Sequence, residues 1–324
     1  MTKQKNKLKF TIPKGSLWKV CSELMSEAGY DIGGSSRNYR PTVNDDEIEL
    51  KLLRPQEIPE YLEDGQFDLG ISGRDWVKET RTDVVEVLDL NMGGVRIVFA
   101  IPNTWDENIK SFDDFLKYFI ENDMVLRIST EYINIITDFI MESEIYQEKF
   151  GEKKPWVYTP WQQWGENRNV RIYLSFGATE AKPPEEVDCI FDNTATGSTM
   201  RANNLRMVET IDRSTALLLA SPAAMEDEFK KEKINDIKLL LKGVIDAKKK
   251  FHVFMNCKED NVEKICSLLP ALKSPTIANL HGKPGWVAIN SIINKEKFLP
   301  LIPKIKKLAQ GLVVLKPRQV IEIL

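Results

Sequence analysis

The 324-residue sequence predicts an α/β protein made of two lobes and a small C-terminal α/β module. Strand-like apolar runs alternate with helical patterns as far as residue 228, which is typical of sheets covered by helices. Residues 229–324 then show a long helix followed by the order strand, helix, strand, strand, helix, strand, which indicates a ferredoxin-like βαββαβ unit. We expect residues 1–102 and 204–228 to form the first lobe, residues 103–203 the second, and residues 229–324 the module.

The first lobe begins with a strand at residues 9–12 and a helix at residues 16–28 that Gly29 ends. Apolar residues at helical spacing predict the buried face of this helix, and they are Leu17, Val20, Leu24 and Ala28. Helices are also expected to start at Pro55 and at Gly73, since proline suits a first helical turn. The remaining strands of this part are predicted at residues 48–53, 67–72, 84–90 and 95–101.

The second lobe is predicted from the same alternation. Its helices are expected at residues 111–120, directly after Glu131 and from Ser198, and its strands at 125–129, 171–176 and 187–192. Strands at 208–211 and 216–220 return to the first lobe. Two lobes joined by a double crossover resemble type II periplasmic-binding-protein folds, in which the cleft lies beyond the carboxyl ends of the strands. Such ends carry Lys14, Gly73, Glu131 and Asp192.

The module is predicted to start with an amphipathic helix at residues 229–250. Its later elements are strands at 251–256, near Thr276, at 286–293 and at 312–315, and helices at 260–269 and 296–308. A plain structural or dimerising role is one interpretation of this module. A small-ligand regulatory role is the other.

Residues 149–169 stand apart because they carry Trp156, Trp161 and Trp164 among charged neighbours. We interpret this stretch as a surface excursion whose tryptophans pack on the lobe or on another subunit. A base-stacking platform is disfavoured, because such platforms lie in basic surroundings.

Composition excludes several classes of function. The chain is 42% hydrophobic and 29% charged with a formal net charge of −3, so it lacks the electrostatic footprint of a nucleic-acid-binding protein. No apolar run is long enough to span a membrane. Residues 1–9 are basic, but residues 8–12 are too short and polar for the apolar region of a signal peptide. Four cysteines without metal-type spacing predict buried thiols in a reducing cytoplasm. The chain has two histidines, His252 and His281, and neither lies in a recognised sequence motif. Neither a catalytic histidine nor a histidine-rich metal site is therefore expected.

One stretch carries a chemical signal. A buried strand ends in the carboxylate of Asp192, a loop of small and hydroxyl residues follows, and a helix starts at Ser198. Backbone N–H groups in such a loop bind anions, and hydroxyls add donors without bulk. The stretch therefore predicts a phosphate cradle with a carboxylate placed for sugar hydroxyls. An ordinary strand–turn–helix with a Ser or Thr cap is the alternative.

Residues 192–205 (DNTATGSTMRANNL) resemble the signature of the ATP phosphoribosyltransferase family, which catalyses the first step of histidine biosynthesis. Further motifs of that family follow in family order and cover nearly the whole chain. They are residues 13–17 (PKGSL), 54–59 (RPQEIP), 68–75 (DLGISGRD), 130–132 (TEY), 177–182 (GATEAK) and 272–276 (LKSPT). Residues 149–169 depart from the family pattern.

The resemblance implies transfer of phosphoribosyl from 5-phosphoribosyl diphosphate (PRPP) to N1 of the adenine of ATP, with release of pyrophosphate. Lys14, Glu131 and Asp192 are the implied catalytic residues. The implied PRPP site comprises Asp192, Thr194, Ala195, Thr196, Gly197, Ser198 and Thr199. The implied ATP and pyrophosphate site comprises Lys14, Gly15, Arg54, Gly73, Arg74 and Asp75. For Lys14 and Arg74 the alternative is a solvated surface charge, for Asp75 a place in a first helical turn, and for Glu131 a helix cap.

The resemblance also implies a cofactor, a regulator and an assembly. Mg²⁺ would arrive on substrate phosphates, with Glu131 as the protein residue that could bind it. The long form of the family implies inhibition by histidine, with AMP as a further candidate effector, and a homo-oligomer, namely a hexamer. The implied histidine-binding residues are Asn256, Leu272, Thr276 and Ile292. A solute-binding protein and a catalytically silent regulatory paralogue are the competing interpretations.

Overall fold

The computed structural model describes residues 6–34, 38–269 and 274–322. Its strands are β1 (Leu8–Pro13), β2 (Ile32–Gly33), β3 (Thr42–Val43), β4 (Ile48–Leu53), β5 (Leu69–Gly73), β6 (Val85–Asp89), β7 (Val95–Pro102), β8 (Leu126–Thr130), β9 (Pro155–Tyr158), β10 (Gln163–Trp164), β11 (Asn167–Leu174), β12 (Cys189–Thr194), β13 (Leu205–Ser214), β14 (Ala216–Ala220), β15 (Lys250–Lys258), β16 (Thr276–Asn279), β17 (Trp286–Asn294) and β18 (Ala309–Leu315). Its helices are α1 (Ser16–Glu27), α2 (Ile58–Glu63), α3 (Arg74–Thr80), α4 (Phe112–Glu121), α5 (Ile133–Glu142), α6 (Glu144–Phe150), α7 (Ser198–Ala202), α8 (Pro222–Glu226), α9 (Glu228–Lys248), α10 (Val262–Leu268) and α11 (Lys295–Ile305). The predicted helices and strands are therefore present, with ends that differ by a few residues.

The chain forms two compact units. One, here called the two-sheet unit, consists of Lys9–Leu17 and Lys51–Glu226. The other, here called the C-terminal unit, consists of Met1–Leu8, Trp18–Leu50 and Asp227–Leu324.

The first sheet of the two-sheet unit has five strands in the order β4-β1-β5-β14-β6. Strand β1 pairs with β5 in parallel, whereas β14 runs antiparallel to β5 and β6. Every residue of β5 and of β14 is buried, as expected for central strands that are covered on both faces. Parallel strands β1 and β5 therefore end at the same edge of the sheet, followed by Lys14 and Arg74.

The second sheet has seven strands in the order β10-β9-β11-β8-β12-β7-β13. Strand β12 lies parallel to β8 and antiparallel to β7. An aromatic cluster covers one face, with Phe191 of β12 packed 5.1 Å from Phe99 and 5.4 Å from Phe112 between ring centroids. This packing fixes β12 in the middle of the sheet and positions Asp192, the next residue along the strand.

The crossover strands differ from the predicted lobe boundaries. Strands β7 and β13 pair with each other in the seven-stranded sheet, whereas the sequence assigned residues up to 102 and from 204 to the first lobe. Only β14 returns to the five-stranded sheet. The reason is that β13 continues without a break from Leu205 to Ser214, so the change of sheet occurs at its end.

The sequence placed the buried face of α1 only partly correctly, because Leu24 and Ala28 of the predicted face are buried. Cys21, Leu24 and Met25 are the buried residues of this helix, whereas Val20 is 36% exposed. Positions 21, 24, 25 and 28 form an equally good apolar stripe, which shares Leu24 and Ala28 with the predicted one and is centred about 45° from it.

In the C-terminal unit, the four-stranded sheet has the order β16-β17-β15-β18. Helices α10 and α11 cover one face and bury Ile265, Leu301 and Ile305 with Val253 and Ile289 of the sheet. The predicted ferredoxin-like unit is thus confirmed. Within the described part of the chain, no helix has both the length and the apolar character needed to cross a membrane.

Candidate active site

The hydroxyl loop after β12 is folded as a tight turn. Thr194 Oγ1 accepts a hydrogen bond from the N–H of Gly197 at 2.8 Å, and the hydroxyls of Thr196 and Ser198 lie 3.0 Å apart. Gly197 has a φ of +73° and precedes α7, and a Cβ there would lie 2.6 Å from the Cε of Met207. Glycine is therefore required. Ala195, Thr196, Ser198 and Thr199 are exposed, which leaves this turn accessible to an anion.

Asp192 is a buried carboxylate with little hydrogen-bond support. The side chain is 9% exposed and accepts the N–H of Asn193 at 2.7 Å. The pKa of Asp192 is raised to about 7, chiefly by burial and also by the nearby charges of Glu180 and Glu131, while hydrogen bonds from Asn193 and Thr179 lower it. Such a carboxylate gains stability from any ligand that brings hydrogen-bond donors.

Lys182 supplies a cation beside these carboxylates. Its Nζ donates hydrogen bonds to Ser129 Oγ at 3.1 Å and Ser175 Oγ at 2.9 Å, and both serines are buried. Burial lowers the pKa of Lys182, whereas the charges of Glu186, Glu131 and Asp192 raise it. The sequence reasoning did not propose Lys182, although it ends the quoted motif at residues 177–182. The sequence feature that could have identified Lys182 is a single lysine in a motif of small residues.

A cleft of about 660 Å³, here called the Glu131 cleft, opens beside the end of β8. It brings together two of the predicted residues, Arg54 and Glu131. Its lining consists of Arg54, Gln56, Glu57, Trp76, Glu131, Leu174, Ser175, Phe176 and Gly177. The cleft therefore combines carboxylates, a guanidinium and apolar walls.

Asp75 is buried and fully engaged by hydrogen bonds. It accepts the Ser214 hydroxyl on Oδ1 at 2.6 Å and the Tyr132 hydroxyl on Oδ2 at 2.8 Å. Asn193 Nδ2 donates to the same Tyr132 oxygen at 2.7 Å. A Cβ on Gly73 would lie 2.0 Å from Asp75 Oδ1, so Gly73 makes room for this carboxylate. Contact of Asp75 with a nucleotide would break one of these bonds, and its predicted ligand role stays a prediction.

Arg74, Lys14 and Gly15 do not line the Glu131 cleft. The guanidinium of Arg74 binds both carboxylate oxygens of Glu86 at 3.0 and 2.9 Å and lies 3.5 Å from Asp89. The backbone N–H of Lys14 donates to Leu53 O at 2.7 Å. Gly15 is exposed and has a φ of +86° with open space around it. Their predicted contacts with ATP or pyrophosphate stay predictions.

Three candidate histidine-binding residues share one face of the C-terminal sheet. In the antiparallel register, His252 faces Ile292, Asn256 faces Ala288 and Thr276 faces Asn290. Alternate residues of β15 and β17, among them Val253 and Ile289, are buried against the helices. Asn256, Thr276 and Ile292 therefore lie on the opposite face. Leu272 lies outside the described residues.

The carboxylates near the cleft fit a metal ion that is bound jointly by the protein and by substrate phosphates, and not one that is held by protein ligands alone. Within residues 6–34, 38–269 and 274–322 there is no group of three or more His, Cys, Asp or Glu residues that could hold a metal. Mg²⁺ needs only one or two protein carboxylates when substrate phosphates supply other ligands. Glu131, partly exposed in the cleft, fits that donor set.

Comparisons with known proteins agree with the motifs. A family profile described as ATP phosphoribosyltransferase matches residues 54–243, and a second, described as the HisG C-terminal domain, matches residues 247–317. The chain is 37% identical over 312 residues to the ATP phosphoribosyltransferase of Chlorobium phaeobacteroides, covering 95% of each chain. It is also 37% identical over 306 residues to that of Pelotomaculum thermopropionicum, covering 93% of this chain and 94% of the relative.

Among solved structures, the chain is similar to one described as an ATP phosphoribosyl transferase (HisG:HisZ) complex from Thermotoga maritima. The TM-score is 0.52 at 22% sequence identity, and the match covers 72% of this chain and 98% of that one. This similarity concerns the fold.

Proposed function

Because the chain belongs to the ATP phosphoribosyltransferase family, the enzymes of the first step of histidine biosynthesis, we propose that it joins C1 of PRPP to N1 of the adenine of ATP. The new N1–C1 bond forms as the bond between C1 and the diphosphate oxygen breaks, and pyrophosphate leaves with that electron pair. The observation that carries the proposal is the pairing of Asp192 with the accessible hydroxyl loop at the end of β12.

The loop and Asp192 suit the two ends of a phosphorylated ribose. The exposed hydroxyls of Thr196, Ser198 and Thr199, together with loop N–H groups, would bind the 5-phosphate. Asp192 would accept hydrogen bonds from the ribose hydroxyls, and these strengthen as positive charge builds on the ring. Catalysis would then depend chiefly on positioning and electrostatics.

Basic side chains would offset the negative charge of the diphosphate. Arg54 in the Glu131 cleft and Lys14 at the end of β1 are our candidates for the leaving pyrophosphate. Lys182 would act as a positioning residue, because its charge favours the ionised form of Asp192. When bound, Mg²⁺ would neutralise phosphate charge, with Glu131 as its protein ligand.

The test is product formation. Purified protein with ATP, PRPP and Mg²⁺ should release pyrophosphate and yield phosphoribosyl-ATP, and omission of PRPP should abolish both. A solute-binding protein or a silent paralogue would bind ligands without turnover. Folded protein that makes no product, with histidine removed, would refute the proposal.

Regulation by histidine is a second part of the proposal. The shared sheet face of Asn256, Thr276 and Ile292 supports it, since polar and apolar groups together suit an amino acid with an imidazole ring. Inhibition would require histidine to favour a less active arrangement of a hexamer. Calorimetry with histidine on the wild type and on Asn256→Ala tests this part, and no binding at millimolar histidine would refute it. The hexamer, AMP as an effector and the cytoplasmic location stay predictions.

A further inference from the structure

Two large aromatic side chains stand exposed beside each other on the two-sheet unit. Trp161 is 72% exposed and Phe176 is 69% exposed. Their ring centroids lie 5.9 Å apart at an interplanar angle of 49°. Leaving this much aromatic surface in water forfeits the stabilisation that its burial would give. Exposed apolar surface of this kind marks binding sites.

The backbone holds Trp161 in a defined place. Strands β9 and β10 form a hairpin in which Gln163 faces Tyr158 and Trp164 faces Val157. At its tip, Thr159 N–H donates to Gln162 O at 2.9 Å, and Gln162 N–H donates to Thr159 Oγ1 at 2.9 Å. Trp161 lies within this closed turn.

The base of the hairpin is packed by aromatic contacts. Tyr158 stacks on Tyr173 of β11 at 4.7 Å and 11°, and the guanidinium of Arg168 lies 4.1 Å from the ring centroid of Trp156. Residues 149–169 are thus an ordered extension of the seven-stranded sheet. The sequence prediction was that the tryptophans pack on the lobe or on another subunit. Half-buried Trp156 packs on the lobe, Trp161 does not, and packing on another subunit stays a prediction.

Phe176 connects this hairpin to the Glu131 cleft. It lines the cleft together with Trp76, Leu174 and Glu131. The adjacent Gly177 lies close to Glu131, because a Cβ there would be 3.9 Å from Glu131 Oε1. Phe176 therefore lines a cleft that also holds the guanidinium of Arg54, and Trp161 lies beside Phe176.

We propose that Trp161 and Phe176 form an aromatic rim of the Glu131 cleft that stacks against the purine base of ATP. The proposal rests on the proposed function, in which a base must be presented to a sugar held at Asp192. Aromatic faces bind the π-face of a base, whereas the hydroxyl loop suits a phosphate, so we assign the base to the aromatic rim and the phosphate to the loop. This assignment departs from the sequence prediction, which disfavoured base stacking by these tryptophans. A subunit interface is the competing role for the same surface.

The experiment compares Trp161→Ala, Phe176→Ala and the double variant with the wild type. Calorimetry gives the Kd for ATP without turnover, and steady-state assays give KM for each substrate. We expect Kd and KM for ATP to rise about tenfold or more, with KM for PRPP changed less than about twofold. Trp161→Phe should retain most of the affinity. Trp164→Ala, which alters a 40% exposed tryptophan of the same hairpin, is the matched control.

Three outcomes would overturn the proposal. They are an unchanged Kd for ATP in the double variant, an equal loss in Trp164→Ala, and dissociation of the oligomer by Trp161→Ala in sedimentation with ATP affinity intact. Wild-type protein that makes no product, yet binds ATP in a Trp161-dependent manner, would refute the proposed reaction but support the aromatic rim as an ATP-binding site.

Discussion

Asp75 and Asp192 are both buried carboxylates near the ends of central strands, yet their surroundings are opposite. Asp75 is 4% exposed, and the hydroxyls of Ser214 and Tyr132 donate to its two oxygens. Asp192 is 9% exposed, and its pKa is raised to about 7 by burial together with the charges of two nearby carboxylates, Glu180 and Glu131. The protein supplies both oxygens of Asp75 with hydroxyl donors, whereas Asp192 accepts hydrogen bonds from the Asn193 N–H and from Thr179 and lies near other carboxylates.

This difference supports our proposal that Asp192 binds a ligand and that Asp75 has a structural role. A buried carboxylate without sufficient hydrogen bonds costs stability, so folding alone does not explain Asp192. Asp75 instead connects Ser214 to Tyr132, which in turn binds Asn193, the neighbour of Asp192 along β12. We therefore expect Asp75 to stabilise the structure around the site and Asp192 to bind the sugar hydroxyls.

The sharpest contrast should come from Asp192→Asn. The variant keeps the shape of the side chain but loses charge-assisted bonds that strengthen in the transition state. We expect kcat/KM for PRPP to fall on the order of a hundredfold or more, with the thermal midpoint unchanged or raised. Steady-state kinetics and calorimetric unfolding measure the two quantities. Near-normal kinetics with PRPP would remove Asp192 from the site.

Asp75→Asn should show the reverse pattern. Loss of the carboxylate leaves the Ser214 and Tyr132 hydroxyls poorly paired, at about 1.5–3 kcal/mol of the free energy of unfolding. Denaturant unfolding measures that loss. Glu86→Gln, which alters an exposed partner of Arg74, is the control and should change stability by less than about 1 kcal/mol. If Asp75→Asn left stability intact but raised KM for ATP, the nucleotide contact predicted from the sequence would be correct.

Lys182→Met tests whether the neighbouring cation keeps Asp192 ionised. Removal of a positive charge should raise the pKa of Asp192 above its value of about 7. The acid limb of the pH profile of kcat/KM should therefore move to higher pH, by about one unit. Lys182→Arg should preserve the wild-type profile. A uniform loss of rate with no shift of the limb would indicate a purely structural lysine.

Thr199→Val should have the smallest effect, because it removes one exposed hydroxyl from the phosphate loop. Binding of a remote phosphate contributes to ground state and transition state alike, so KM for PRPP should rise about fivefold with kcat nearly unchanged. Thr210→Val, an exposed threonine outside the loop, is the matched control. A fall in kcat with constant KM would place Thr199 closer to the reacting carbon.

The sequence predicted the elements and the phosphate loop because both depend on local patterns. Alternation of apolar runs located β5, β12 and β14, and the small residues before Ser198 located the turn at Gly197. The same reasoning assigned Asp75 and Asp192 similar ligand roles, since each follows a buried strand. What distinguishes them is a set of partners from distant positions, such as Ser214, which is 139 residues from Asp75.

The features that the sequence did not predict also depend on contacts between residues that are distant in the chain or on short elements. Lys182 gains its significance from Ser129, 53 residues away, and from charges that converge only in the folded chain. The hairpin of β9 and β10 escaped notice because its two-residue strand is too short for a periodic pattern. The face of α1 depended on a choice between two apolar stripes, which tertiary packing decides.

Proton release on PRPP binding is the most direct measure of the proposed role of Asp192, because hydrogen bonds from the sugar should convert Asp192 to its ionised form. With a pKa of about 7 in the free protein, Asp192 should release about half a proton per site at pH 7. Calorimetry in buffers of different ionisation enthalpy measures that number. We predict that this contribution is lost in Asp192→Asn and retained in Asp75→Asn. Equal proton release in the wild type and Asp192→Asn would show that the protons do not come from Asp192, and would contradict its proposed role in binding the sugar.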